Sequence, residues 1–168
     1  FSKDLMKKYG IPTASYEVFD QAEEALEYLH TEAKFPIVLK ADGLALGKGV
    51  LICNTLEEAE DGVCAIMTER RFGTAGNRLV IEEFMTGREV SVLTFTDGKT
   101  IRVMSSAQDH KRAYDGDKGP NTGGMGTFSP SPFYTPEVDR FCREHIYQAT
   151  VDAMAAEGRP FQGVIFFG

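Results

Sequence analysis

No apolar run in this chain approaches the roughly 18 residues that span a bilayer, and no charged segment followed by an apolar one opens it. Neither a membrane span nor an export leader is expected, and the cytoplasm is the default location. Cysteine is scarce: Cys53, Cys64 and Cys142 are odd in number, lack metal-type spacing and sit in apolar stretches, as reduced thiols do. Neither a zinc site nor a disulfide framework is visible. Basic excess is also missing, with 18 Lys and Arg against 25 Asp and Glu and a net charge of −7. That balance argues against a broad surface for a phosphate backbone, so nucleic acid is not an expected partner. Internal repeats and low-complexity tracts are absent too. What is present is a 168-residue chain with 42% hydrophobic content, enough to bury a core as one domain or two small lobes of a soluble globular protein.

The two ends carry their own expectation. Phe1 opens directly into a helical pattern without an initiator Met, and Gly168 comes at once after the apolar run Gly163–Phe167. This pattern is expected of a piece excised from something longer.

Between the ends, helical and extended patterns alternate. Ser2 is placed to cap a helix through Tyr9, Thr13 to Phe19 reads as a strand, and Asp20 is placed to cap a helix to about His30. Pro36–Lys40 and Gly49–Cys53 read as strands joined by a glycine-containing loop, a hairpin signal. Thr55 and Glu58 have the spacing of a capping box for a helix to about Glu69. Arg78–Phe84, Glu89–Phe95 and Lys99–Met104 read as strands, the last two joined at the turn signal Asp97-Gly98. Thr135 and Pro136 begin a helix that runs to about Glu157. Strand pairs of antiparallel character between helices predict an α+β fold rather than a doubly wound parallel sheet.

The most unusual composition lies at residues 107–126, where Asp109, His110, Lys111 and Arg112 precede the run Gly-Pro-Asn-Thr-Gly-Gly-Met-Gly. Such a segment buries little apolar surface. Its glycines let backbone N–H groups approach a ligand closely, and Lys111 and Arg112 add fixed positive charge, so it reads either as a site for a small anionic ligand or as a solvated loop.

A second glycine loop spans 41–49. It follows a strand and contains Gly47-Lys48, yet the spacing from Gly43 is one residue short of a Walker A motif, no Ser or Thr follows Lys48, and the next element is a strand. With no helix N-terminus to hold phosphate, a mobile lid over a triphosphate with Lys40 and Lys48 as its cations fits better, beside the plain alternative of a mobile hairpin turn. At 80–89, backbone groups of Glu83 to Met85 are placed to pair with an adenine edge, with Phe84 and Met85 as apolar contacts and Glu89 as an acceptor for ribose hydroxyls. An acidic strand end is otherwise simply solvated.

Their order is distinctive: Lys3 on an opening helix, strand Lys40, the glycine hairpin, Glu82-Glu83-Phe84-Met85, Glu89, then Ala-Gln-Asp-His-Lys-Arg and Gly-Pro-Asn-Thr-Gly-Gly-Met-Gly. The chain resembles the ATP-grasp portion of the phosphoribosylamine–glycine ligase family, the glycinamide ribonucleotide synthetases of purine synthesis. The likeness covers essentially all of the chain, including Phe-Ser-Lys-Asp at 1–4, Ile-Pro-Thr-Ala at 11–14, Lys-Ala-Asp-Gly-Leu-Ala at 40–45 and Phe-Gly-Thr-Ala-Gly at 72–76. The hairpin and hinge recur among ATP-grasp enzymes, whereas other carboxylate–amine ligases lack the 107–126 sequence.

The resemblance implies an ATP-grasp fold of two α+β lobes gripping ATP, a small lobe at 13–82 and a larger, incomplete one at 1–12 and 83–168. It implies that glycine is activated by ATP as glycyl phosphate and attacked by 5-phosphoribosylamine, with ADP and phosphate released. Lys3, Lys40 and Lys48 would serve ATP, Glu82, Glu83, Phe84 and Met85 the adenine hinge, and Glu89 the ribose. Lys111, Arg112 and Asn121 match positions at the phosphate and substrate end, with Asp109, Thr122, Gly123 and Gly124 near the substrate. Arg112 and Asn121 would be the catalytic pair, and His110 either an acid or base or an orienting group. In the family a carboxylate and an Asn that hold Mg²⁺ or Mn²⁺ lie beyond the position of Gly168, so the chain is expected to bind nucleotide without ligase turnover. Oligomeric state is not implied.

Overall fold

A computed structural model of the protein describes residues 1–43, 45, 49–116 and 118–168. Lys48, one of the expected lid cations, lies outside the described residues. The chain forms two compact units, Phe1–Thr13 with Gly87–Gly168 and the intervening Ala14–Thr86. The hinge residues Glu82 to Met85 therefore belong to the intervening unit. The elements are mixed helices and antiparallel sheets, an α+β fold.

The intervening unit is a four-stranded antiparallel sheet. Its strands β1 (Tyr16–Phe19), β2 (Ile37–Ala41), β3 (Val50–Cys53) and β4 (Leu79–Glu83) lie in the order β1-β4-β2-β3. Register decides its faces. Leu39 pairs with Ile81 and Leu51, and Ala41 with Leu79, so one side presents an unbroken apolar surface. Helices α2 (Ala22–Thr31) and α3 (Leu56–Val63) cover that side, burying Ala25, Leu29, Ala59 and Val63 against Leu39, which is 0% exposed. At about 25 cal/mol per Å² such burial is the main stabilising term of the unit. Gly76 also serves it, because a β-carbon there would overlap the carbonyl of Ile66.

Local capping follows the sequence with two shifts. Thr55 Oγ1 accepts from the Glu58 N–H at 3.2 Å, while the Glu58 carboxylate reaches one residue past the cap to the Asn54 N–H at 2.7 Å. Asp20 does not cap α2. Its carboxylate accepts from Arg78 Nε at 2.9 Å and Gln21 occupies the cap position, a full charge on Arg78 outcompeting amide donors. The helix expected to reach Glu69 turns π-helical over Cys64–Thr68.

The other unit begins with α1 (Ser2–Tyr9), whose cap position is Phe1 rather than Ser2. Its sheet has the order β11-β5-β6, from β5 (Val92–Thr96), β6 (Ile101–Val103) and β11 (Gly163–Phe167). The Asp97 carboxylate accepts from the N–H groups of Lys99 and Thr100 in the β5–β6 turn, and those bonds hold its pKa below the ordinary value. Thr135 caps α4 (Pro136–Cys142) as expected, and a π-helical turn at Arg143–Tyr147 joins it to α5 (Gln148–Ala156). Leu5 and Ile11 pack against Ala153. The Tyr147 ring stacks on Phe167 at 4.6 Å and its hydroxyl meets that of Tyr134 at 2.7 Å. Tyr134 donates to Asp139 at 2.9 Å, and burial together with that carboxylate pushes its pKa up to about 12.

Residues 107–126 are not an open loop. Together with the two residues that follow, they build four short strands, β7 (Gln108–Asp109), β8 (Arg112–Tyr114), β9 (Lys118–Asn121) and β10 (Thr127–Phe128), paired β7 with β10 and β8 with β9. Backbone bonds extend the ladder between these pairs, from His110 N–H to the Gly126 carbonyl at 2.9 Å and from Thr122 N–H to the Lys111 carbonyl at 2.7 Å. Polar residues can make such a ribbon because its backbone bonds need no apolar core.

Candidate nucleotide and substrate site

On the side of the intervening sheet away from its helices lie Lys40 and Glu82. Register sets Lys40 opposite Val80 and Val38 opposite Glu82, so the two charged residues are diagonal neighbours, and Lys40 Nζ donates to Glu82 Oε2 at 2.7 Å. Glu82 is buried while Lys40 is half-buried, beside the exposed apolar side chains of Val18, Val50 and Ile52. A carboxylate taken from water needs such a partner, and the cation gains a fixed direction in exchange for mobility. The hinge follows at the end of β4. The Glu83 N–H donates to the Ser15 carbonyl at 3.0 Å and Ser15 Oγ donates to the Glu83 carboxylate at 2.9 Å, while Phe84 and Met85 beyond the strand are exposed.

In the other unit the ribbon is anchored at its base. Ser91 and Ala107 exchange two backbone bonds of 2.8 Å, tying the ribbon to the strand that follows Glu89. Serines fasten the opposite edge: Ser129 Oγ donates to the Ser106 carbonyl at 2.7 Å, Ser131 N–H to Ser106 Oγ at 3.1 Å, and Ser131 Oγ to Gln108 at 3.1 Å. This frame brings Glu89, Asp109 and Lys111 together. Lys111 Nζ donates to Glu89 Oε1 and stands 3.9 Å from Asp109 Oδ1. Arg112 goes elsewhere, its Nη1 donating to the Gly119 carbonyl at 2.8 Å. Gly119 has φ +83°, and a β-carbon there would fall on the Tyr114 ring, so the turn requires glycine.

Arg112 and Asn121 are cross-strand partners in the β8–β9 register. Thr122 Oγ1 donates to the Lys111 carbonyl at 2.9 Å and accepts from the Gly124 N–H at 3.1 Å, so Thr122, Gly123 and Gly124 form a turn closed on itself. The His110 ring lies 5.4 Å from that of Phe128, and Lys3 Nζ donates to Thr13 Oγ1 at 2.8 Å. Ser15, and the Arg88 guanidinium lying 4.3 Å over the Phe133 ring, were not legible as supports because no local motif marks either pair. Among the described residues no three His, Cys, Asp or Glu side chains converge in a way that could hold a metal ion.

Two units of this architecture, one a helix-backed antiparallel sheet, have the ATP-grasp fold. The biotin carboxylase domain of Hydrogenobacter thermophilus 2-oxoglutarate carboxylase, solved with ADP and magnesium, shares it at a TM-score of 0.70 and 23% identity, covering 99% of this chain and 35% of that one. The family is narrower still. Across residues 1–168 the chain matches the family model described as phosphoribosylglycinamide synthetase, ATP-grasp (A) domain, and it belongs to that family. It is 50% identical over 168 residues to the phosphoribosylamine–glycine ligase of Clostridium acetobutylicum, covering all of this chain and 40% of that protein. The crystal structure of the Thermotoga maritima phosphoribosylamine–glycine ligase superposes with a TM-score of 0.88 at 39% identity, covering 99% of this chain and 42% of that one. The chain thus spans about two fifths of the length of these relatives. No helix among the described residues is long and apolar enough to cross a membrane.

Proposed function

We propose that these residues are the nucleotide-binding part of an ATP-dependent ligase that joins glycine to 5-phosphoribosylamine. The observation that carries this is the family match over the whole chain together with an ion pair, a hinge and a ribbon at the positions the resemblance assigns to ATP. In the reaction a glycine carboxylate oxygen attacks the γ-phosphorus, the bond to the ADP oxygen breaks, and glycyl phosphate forms. The amine nitrogen then attacks the acyl carbon, and phosphate leaves with the C–O pair of electrons. Such chemistry asks the protein mainly to position groups and to neutralise charge on the transferred phosphoryl.

Lys40, aimed by Glu82, would meet an ATP phosphate, with Lys3 and Lys48 adding charge. Because the Glu83 N–H is committed to Ser15, Phe84 and Met85 would supply the backbone groups for the adenine edge. Glu89 would take the ribose hydroxyls. Arg112 and Asn121, facing each other across the ribbon, would stabilise charge developing at the phosphoryl and acyl centres, with Asp109 and Thr122 to Gly124 shaping the substrate end. Mg²⁺ would neutralise phosphate charge, but the described residues offer it no ligand set, so none is assigned to it here. The small lobe would be Ala14–Thr86, and the cytoplasm the compartment.

Thermal denaturation with ATP and Mg²⁺ tests the binding half. A ligand at a hundred times its Kd adds about 2.7 kcal/mol, so the midpoint should rise with ATP and not with AMP or Mg²⁺ alone. Lys40→Met should abolish most of that rise. Ligation is read as ADP release that requires both glycine and 5-phosphoribosylamine, in the gene product carrying these residues. Release with a different amine, or without glycine, would assign another substrate.

A further inference from the structure

Lys111 lies between two acidic side chains: it bonds Glu89 and stands 3.9 Å from Asp109. One positive charge between two negative ones leaves the cluster with a formal net charge of −1. A polyphosphate approaching it meets repulsion, whereas a vicinal diol, a pair of neutral donors, meets acceptors. Arg112 differs, since the partner it has among the described residues is a neutral carbonyl, that of Gly119.

The geometry also says which partner orients the other. The backbone of Lys111 is pinned, because its carbonyl accepts from both the N–H and the Oγ1 of Thr122, and Asp109 is in register with Thr127. Glu89 sits two residues beyond Gly87, with φ +147°, and outside any strand. The ladder bond between Ser91 and Ala107 then brings Glu89 within reach of the ribbon. The cation is fixed to the ribbon, and the carboxylate comes to it.

We propose that Lys111 is a positioning residue for the ribose rather than a phosphate cation, holding Glu89 by Oε1 so that its other oxygen, with Asp109 beside it, receives the sugar hydroxyls. This rests on the reading of Glu89 as the ribose acceptor. It makes the 107–126 ribbon a recognition element for the nucleotide sugar as well as for the substrate end.

The test is calorimetric binding of Mg·ATP, Mg·2′-deoxy-ATP and Mg·tripolyphosphate to the full-length gene product carrying these residues and to its Glu89→Gln, Lys111→Met and Lys111→Arg variants. The chain should prefer ATP over its 2′-deoxy form, and Glu89→Gln should erase the preference. Lys111→Met should cut the preference by about two- to fivefold, the range of a half-exposed ion pair, while tripolyphosphate affinity stays the same. Lys111→Arg should restore it. If Lys111→Met weakens all three ligands equally with the preference intact, Lys111 is a phosphate cation and the proposal is overturned while the ribose reading stands. If the chain shows no preference, or Glu89→Gln leaves it unchanged, the ribose reading itself fails and the proposal with it. Denaturant unfolding of the Glu89→Gln/Lys111→Met cycle supplies a ligand-free check, in which zero coupling between the two sites overturns the positioning contact.

Discussion

The two units solve the same problem by different means. Ala14–Thr86 packs two helices on one side of a four-stranded sheet around a core that, among the described residues, holds ten buried apolar side chains, Leu39, Ile66 and Leu79 among them. The unit of Phe1–Thr13 and Gly87–Gly168 buries a smaller apolar cluster of Leu5, Ile11 and Ala153 and relies on polar networks: the serines under the ribbon and the chain Tyr147–Tyr134–Asp139–Arg143. Its central strand β5 even buries Thr94 with a hydroxyl that finds no partner among the described residues. The contrast teaches where each kind of site can sit. A cation aimed by a buried carboxylate suits the side of a sheet whose other side supplies the stability, whereas a glycine ribbon needs a hydrogen-bonded frame.

The contrast is broken or sharpened by substitutions in the two cores and in the polar network. Leu39→Ala should be the most costly, about 2–5 kcal/mol and near the top of that range, because a side chain enclosed by helices and sheet leaves a cavity. Leu5→Ala, at the margin of a three-residue cluster, should fall near the bottom. Denaturant unfolding followed by hydrogen exchange in each unit separates the two, and equal costs would erase the difference between the cores.

Next is the tyrosine pair. Tyr147→Phe removes one hydroxyl from the network and should cost about 1 kcal/mol at neutral pH. The pH dependence has a definite sign: a folded pKa near 12 for Tyr134, against an ordinary value near 10, favours the neutral hydroxyl in the native state. That contribution is complete below about pH 10 and is lost as pH rises toward 12. The alkaline limb of stability should therefore flatten in Tyr134→Phe, and an unchanged limb would place the titration elsewhere.

Smallest of all should be Thr94→Val. Replacing an unpaired buried hydroxyl by a methyl group should leave stability unchanged or raise it by up to about 1 kcal/mol, measured as the thermal midpoint. A clear loss would mean that the hydroxyl has a partner, and the polar economy of this unit would be tighter than described.

Much of this was legible beforehand, for identifiable reasons. The α2 and α3 helices and the β2–β3 hairpin rest on periodicity and turn signals, and the starts of α3 and α4 on the Thr55 and Thr135 caps, all of which act over a few residues. Glu82 and Lys40 stand out through their order along the chain, but nothing in that order shows that they pair with each other. The ribbon reads as a loop in the sequence because its strands are short and polar, and strand signals depend on apolar alternation. Asp20 was misassigned as a cap because Arg78, far along the chain, takes its carboxylate.

The sequence by itself determined the α+β alternation, the family and the residue types available for nucleotide chemistry, since these depend on local pattern and on order. Only the tertiary structure decided which charges meet. Sheet register set Lys40 diagonal to Glu82, and ladder bonds brought Glu89 to Lys111 while sending Arg112 to Gly119. Charge pairing between solvated groups is largely screened beyond about 8–10 Å, so which cations are neutralised depends on the packing of strands distant in sequence.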